Sequence, residues 1–461
     1  MAGLEIPPLE SSGAPLGCPR ARGPRQRAAS AGLFLAGLFL VGLYLPVSKP
    51  IWIDEFLQFA LGAFESTAEV LSIIHESTRS INHGQTGFYM LLDHYLVRVY
   101  GASAFALRLP SVLSAIFLVF CALFFLRSKN VGIVGRFALL VALAAQSNLM
   151  NYLGEARPYL PLAATVVGAL AYYASPLAMR VRPCVAAIGW GSVILGALLH
   201  PYFAIYWFAI IGFCVWSAWL TGSGSLKFAE IRRLINLPLL ISGLILIFSL
   251  GSVTWLQRRE TFFDFDPFQW VTQGIWTEFT AFSHFTFIPN ARIYVAIAVA
   301  IPIAYLLLPT RIKGALRPFV PPATLLVVAL LISILVSVVS YTQSYWILSR
   351  QWVASQALVP IAFIWFASEI IHQVETRSRP LAIALALAGL AYLAVCAWPS
   401  VHMKAGQQWA ALQAIRQTPP AAPGTIPTDA PGDMADWVRL ANENVATGGP
   451  AWPVFRKFYG R

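Results

Sequence analysis

Three short stretches of this 461-residue chain carry residue types that could do chemistry. The first is the acidic pair Asp54-Glu55, a few residues beyond the first apolar run. A carboxylate there could act as a general base or a metal ligand at a membrane surface. It could equally be a solvated helix start, since acids favour helix N-termini. The second is Glu155-Ala156-Arg157-Pro158-Tyr159, where an ionisable pair precedes a proline suited to a first helical turn. Ionisable groups at the mouth of a membrane bundle are expensive unless used, although Glu155 and Arg157 could simply pair in a tight loop. The third is His200-Pro201-Tyr202, which splits a long apolar run. A histidine and a tyrosine at span ends are ordinary interfacial residues. Arg108 and Arg350 complete the set, and each alone could snorkel to headgroups. Several cations gathered on one side form a site for an anion, and phosphate is the natural anion at a membrane surface.

The elements that must position these residues follow from composition. Apolar residues make up 58% of the chain and charged residues only 11%. Soluble domains carry about 25% charged residues. The chain therefore reads as an all-α polytopic membrane protein. Eleven apolar runs approach the ~20 residues that a bilayer core requires. They are 30–48, 104–126, 136–153, 158–175, 185–200, 202–220, 235–255, 293–308, 321–341, 352–371 and 381–398. The first follows Arg20, Arg22, Arg25 and Arg27 and lacks a small-x-small cleavage site, so it reads as a signal anchor rather than a removed signal peptide.

With the N-terminus inside, the entire net charge of +12 falls on the cytoplasmic segments, and the outer segments balance. The basic balance is thus a topology signal rather than a nucleic-acid surface. The five cysteines have no metal-site or disulfide spacing. No P-loop, HExxH or GxSxG motif occurs, which disfavours a nucleotide-driven pump or a serine hydrolase.

Three regions result. Residues 1–29 form a basic cytoplasmic tail, 30–398 the transmembrane domain, and 399–461 a short outer tail. Two long outer loops, 49–103 and 256–292, lie within the second region. In the first, Trp52, Phe56, Phe59 and Ala63 recur at helical spacing, as do Phe88, Leu91, Leu92, Tyr95, Leu96 and Val99. Both stretches are too short to span and fit helices lying at the membrane surface. His83 to Gly87 reads as a turn between elements. In the second loop, Val271, Ile275, Phe279 and Phe282 share a helical face. Val401 to Gln417 forms one further helix before the prolines from Pro419 to Pro431 break regular structure.

The order of these motifs is familiar: Trp52-Ile53-Asp54-Glu55, then Gly87-Phe88-Tyr89-Met90-Leu91-Leu92, then Tyr100 to Leu113 around Arg108, then Glu155-Ala156-Arg157-Pro158-Tyr159. Over residues 30–400 it resembles the bacterial GT-C glycosyltransferases, the superfamily of protein O-mannosyltransferases and the lipid A aminoarabinose transferase, in a compact form.

That resemblance implies a polyprenyl-phosphate sugar as donor. It implies transfer, with inversion, on the outer face of a bacterial inner membrane, which is the periplasmic side. Asp54 matches the family's catalytic acid, and Glu55 is a further candidate beside it. Arg157, Arg350, Arg108 and His200 are then candidates for the donor phosphate, and His83, Glu155 and Tyr159 for substrate. The acceptor would be an envelope component: lipid A, a polysaccharide, a glycolipid or a protein. A divalent metal is possible, because relatives differ in needing one. The tail is far shorter than the extra domain of larger members, and Phe88-Tyr89-Met90 stands where many members are proline-rich. The competing reading is a transporter or flippase of a lipid-linked sugar. Against it, the ionisable residues gather at the outer rim rather than at the bilayer midplane.

Overall fold

The computed structural model describes residues 24–45, 55, 66–77, 87–100, 104–221, 235–256, 266–274, 291–342 and 349–417, with a few positions between 436 and 443. The described residues hold helices and no strand. A chain that places its backbone in lipid must satisfy N–H and C=O groups within each segment, and the helix does this.

In chain order the main helices are α1 (Pro24–Leu43), α2 (Thr67–Ser77), α3 (Phe88–Tyr100), α4 (Ala104–Ser128), α5 (Ile133–Ala145), α6 (Ser147–Asn151) and α7 (Tyr159–Tyr173). They continue with α8 (Pro183–Leu199), α9 (Phe203–Thr221), α10 (Leu237–Leu256), α11 (Ala291–Leu307), α12 (Val320–Thr342), α13 (Val353–Glu375) and α14 (Arg379–Gln417). Five described helices are long and apolar enough to cross a membrane, or six if α5 and the bent segment after it count as one span. Four other apolar helices are shorter, at 10–17 residues. Every one of the eleven expected runs carries a helix, but not every helix reaches crossing length.

One of these explains why. All fifteen residues of α7 are buried. At about 1.5 Å per residue it is only ~22 Å long. A helix wrapped by protein on every side meets no lipid, so the bilayer thickness does not fix its length. It packs against α4, α8, α9 and α13. Close approach to α8 depends on missing side chains. A Cβ at Gly189 would lie 2.1 Å from the Tyr172 ring, and one at Gly168 would lie 2.1 Å from Ser192 Oγ. Small residues at such seams let helix backbones approach in the absence of a hydrophobic drive between helices.

The two ends of α7 are held differently. At its C-terminal end, Lys129 Nζ donates to the Ala174 carbonyl at 2.7 Å, and the Arg180 guanidinium donates to the Ser175 and Tyr173 carbonyls. These cations satisfy C-terminal carbonyls that have no partner within the helix and suit the negative end of its dipole. The N-terminal end is the candidate site.

Two outer features differ from what periodicity alone indicates. The expected helix over Val401–Gln417 is continuous with the last span, forming the 39-residue α14, so the 398/399 boundary falls inside one helix. It is fixed to the outer end of α1. The Tyr44 hydroxyl donates to Ala144 O at 2.6 Å and pairs with Ser400, and Gln408 donates to Leu43 O at 3.1 Å and also to Leu45 O. In the second outer loop, the described segment 267–274 buries Trp270, whose indole donates to Ser340 Oγ at 3.2 Å, while Val271 is exposed. The expected helical faces at 52–63 and 275–282 lie outside the described residues, apart from Glu55.

Candidate active site

α3 is amphipathic in the sense opposite to a soluble surface helix. Its apolar positions Tyr95 and Val99 are exposed, with Phe88, Leu91, Leu92 and Leu96 partly so. Its buried face is Tyr89, Met90, Asp93, His94 and Val97. An interfacial helix sends its apolar side toward lipid. Its polar side then faces the protein, which carries Asp93 and His94 inward.

Across from α3 lies Glu55, fully buried. Arg108 on α4, only 3% exposed, forks onto it: Nε donates to Oε1 at 2.9 Å and Nη2 to Oε2 at 2.7 Å. The backbone N–H of Ala156 donates to Oε1 at 2.7 Å. One carboxylate thus joins the first outer loop, α4 and the 155–157 loop. Bidentate Arg–carboxylate pairs are the geometrically most specific of charge-assisted bonds. Sequence reasoning placed Glu55 and Arg108 in the site separately and did not pair them.

The 155–157 loop is brought there by a break in the chain. After α5 the axis turns by 70°, through α6 and a 3₁₀ turn at Tyr152–Gly154. Glu155 then takes extended backbone, and Ser111 Oγ on α4 donates to its carbonyl at 2.7 Å. Arg157, 6% exposed, follows directly before α7. A cation beside a helix N-terminus opposes the dipole. The sequence therefore retains two positive features at one spot.

Beyond Arg157 a short aromatic row continues the site. The Tyr159 ring lies 6.3 Å from His200, and His200 lies 4.7 Å from Tyr202. The Arg350 guanidinium sits 5.7 Å above the Tyr159 ring, in cation–π range. The structure thus gathers Glu55, Arg108, Glu155, Arg157, Tyr159, His200 and Arg350 at one end of the bundle. Asp54 and His83 lie outside the described residues. Among the described residues no three His, Cys, Asp or Glu side chains are grouped as metal ligands would be.

The site contains two unusual titratable groups. Asp93 is fully buried, and neither of its oxygens has a hydrogen-bond partner among the described residues. Burial pushes its pKa well above the carboxylate range and Glu55 adds to this, while Arg157 pulls the other way. Sequence reasoning missed it. The available signal was its place between the apolar positions of an interfacial helix. The second group is His200. Burial, reinforced by Arg157, lowers it from 6.5 to about 4. The geometry agrees, because Nδ1 accepts the Tyr202 N–H at 3.1 Å and so carries no proton.

His200 predicts a pH effect. The unfolded chain takes up a proton near pH 6.5, which the folded chain refuses until about 4. Its contribution to stability is therefore complete above pH 6.5 and is lost as pH falls toward 4. Between about pH 6.5 and 4.5, the wild-type melting temperature should fall more steeply than that of His200→Asn, whose amide oxygen can still accept the Tyr202 N–H. Equal slopes would mean that the imidazole can be protonated in place.

No family model matches the chain, and no curated protein matches it. Among solved structures, the crystal structure of ArnT from Cupriavidus metallidurans in the apo state aligns over 92% of this chain and 90% of its own, with 13% identity and a TM-score of 0.36. A likeness that distant assigns neither family nor activity.

Proposed function

We propose that this chain is a membrane glycosyltransferase of the GT-C type. It moves a sugar from a polyprenyl-phosphate donor to an envelope glycan, lipid or protein at the periplasmic face of the inner membrane. The observation that carries the reading is the buried Glu55–Arg108 fork tied to Ala156. It fixes the residue next to Asp54 against the loop that holds Arg157, with His200, Tyr159 and Arg350 grouped beyond it.

The chemistry runs as follows. An acceptor hydroxyl attacks the anomeric carbon from the side opposite the phosphate. Asp54 takes the hydroxyl proton as the new bond forms. The bond between the anomeric carbon and the phosphate oxygen breaks, and the lipid phosphate leaves with the electron pair. Arg157 and Arg350, aided by the N-terminus of α7, stabilise that charge. Neutral His200 can donate from Nε2. Glu155, Tyr159 and His83 contact sugar. Arg108 acts through Glu55 rather than on the phosphate, since its fork is engaged. The donor's polyprenyl chain lies along apolar span surfaces.

A transporter would need its ionisable groups along a path near the midplane. Here those of the site gather at the outer end. The deciding experiment compares envelope components of a deletion strain with and without the wild-type gene, by mass spectrometry. It is paired with turnover of labelled polyprenyl-phosphate sugars by the purified protein. We expect one sugar unit to vanish from one component in the deletion and to return on complementation, with lipid phosphate released in vitro. Movement of intact donor across proteoliposomes without cleavage would overturn the reading.

A further inference from the structure

Asp93 has no part in the reaction just described. It sits one turn after Tyr89 on the buried face of α3. Both Asp93 oxygens and the Tyr89 hydroxyl are enclosed and without a hydrogen-bond partner among the described residues. Ser111, beside Tyr89, already gives its proton to the Glu155 carbonyl. Glu55, by contrast, has a filled set of donors from Arg108 and Ala156. Of two neighbouring buried carboxyl groups, one is fully solvated by protein and the other not at all. An ionised carboxylate enclosed without donors is strongly disfavoured and resolves the conflict by keeping its proton.

Other groups around it do not change this. α3 packs against α2, α4 and α8. Among the described side chains of α2 the buried one is Val70, while Glu69 is exposed. α4 contributes Arg108 and Ser111, and α8 ends at neutral His200. The 155–157 loop brings Glu155 and Arg157. On α3 itself, His94 is buried and Arg98 exposed.

We propose that Asp93 is a positioning residue that works as a neutral carboxylic acid. In that form it lets the Glu55–Arg108 fork and the Arg157 loop pack against α3. Losing the proton sets a second negative charge against Glu55 and competes for the guanidinium groups that hold the loop, so the site loosens as pH rises.

The test uses the full-length protein in detergent and the variant Asp93→Asn, which keeps the shape and fixes the neutral state. The native chain holds a proton that the unfolded chain has already released, so wild-type stability falls with each pH unit up to the native pKa. From about pH 4 up to the native pKa, the wild-type melting temperature should fall relative to that of Asp93→Asn, which lacks this titration. Infrared spectra of the wild type at pH 7 should show a protonated-carboxyl band that Asp93→Asn lacks. This second measurement decides the matter even if the variant folds poorly. In turnover assays the alkaline loss of activity should disappear in the variant. The same pH slope in both proteins, or no such band, would overturn the proposal. The turnover arm rests on the glycosyltransferase reading. The melting and infrared arms do not, so the two ideas can fail separately.

Discussion

Arg108→Ala should lower stability by about 3–5 kcal/mol, because it strands the fully buried Glu55 carboxylate without its counterion. Glu55→Ala should do the same from the other side. Removing both partners for apolar residues of similar size should cost much less than the two single losses added together. A buried pair is worth little net, and what is expensive is leaving one half behind. A double-mutant cycle by thermal or denaturant unfolding measures this coupling directly. Activity should not follow stability. Even a well-folded double variant should stay inactive, since the Ala156 N–H loses its acceptor and Asp54 loses the anchor beside it. Additive single effects would show that the two groups do not share one site. Recovered turnover in the double variant would reduce the fork to a packing element.

Asp54→Asn should lower turnover by about 10²–10⁴-fold, the usual contribution of a positioned general base. That corresponds to roughly 3–5 kcal/mol of transition-state stabilisation. The amide keeps shape and hydrogen bonding but cannot take the acceptor's proton. KM for the donor should change little, and the melting temperature should stay within experimental scatter. The contrast with Glu55 is the point of the experiment. Asp54→Asn should act on turnover alone, whereas loss of Glu55 should lower stability as well as turnover. An Asp54→Asn protein that transfers sugar at the wild-type rate would remove the base from the proposed mechanism.

Hydropathy made the membrane architecture readable, because lipid imposes apolar length directly on sequence. Each expected run carries a helix. Lateral neighbours were not readable. Glu55 and Arg108 are 53 residues apart, and nothing in their spacing says that they meet. The gathering of Tyr159, His200 and Arg350 was open to inference only as a shared depth, since each lies at an outer helix end. Their contact depends on how α7, α8 and α13 pack, which is set by side-chain shape and, between α7 and α8, by glycine seams such as Gly168 and Gly189. Asp93 was hidden for a different reason. Periodicity finds the apolar face of α3 correctly, but in an interfacial helix that face points to lipid. The usual inference from apolar to buried then runs backwards, and the polar positions are the inside ones.

The central helix α7 gives the site an unusual reference point. Its outer end carries Arg157 and Tyr159, while its inner carbonyls are gripped by Lys129 and Arg180 some fifteen residues away. With its whole surface enclosed, the helix behaves as a strut rather than a spring. Sliding it along the membrane normal would pull those carbonyls off their cations on the opposite face. The height of the candidate site is therefore set from the other end of the helix. A thinner or thicker bilayer would tilt the peripheral helices around the strut and leave the height of the candidate site unchanged.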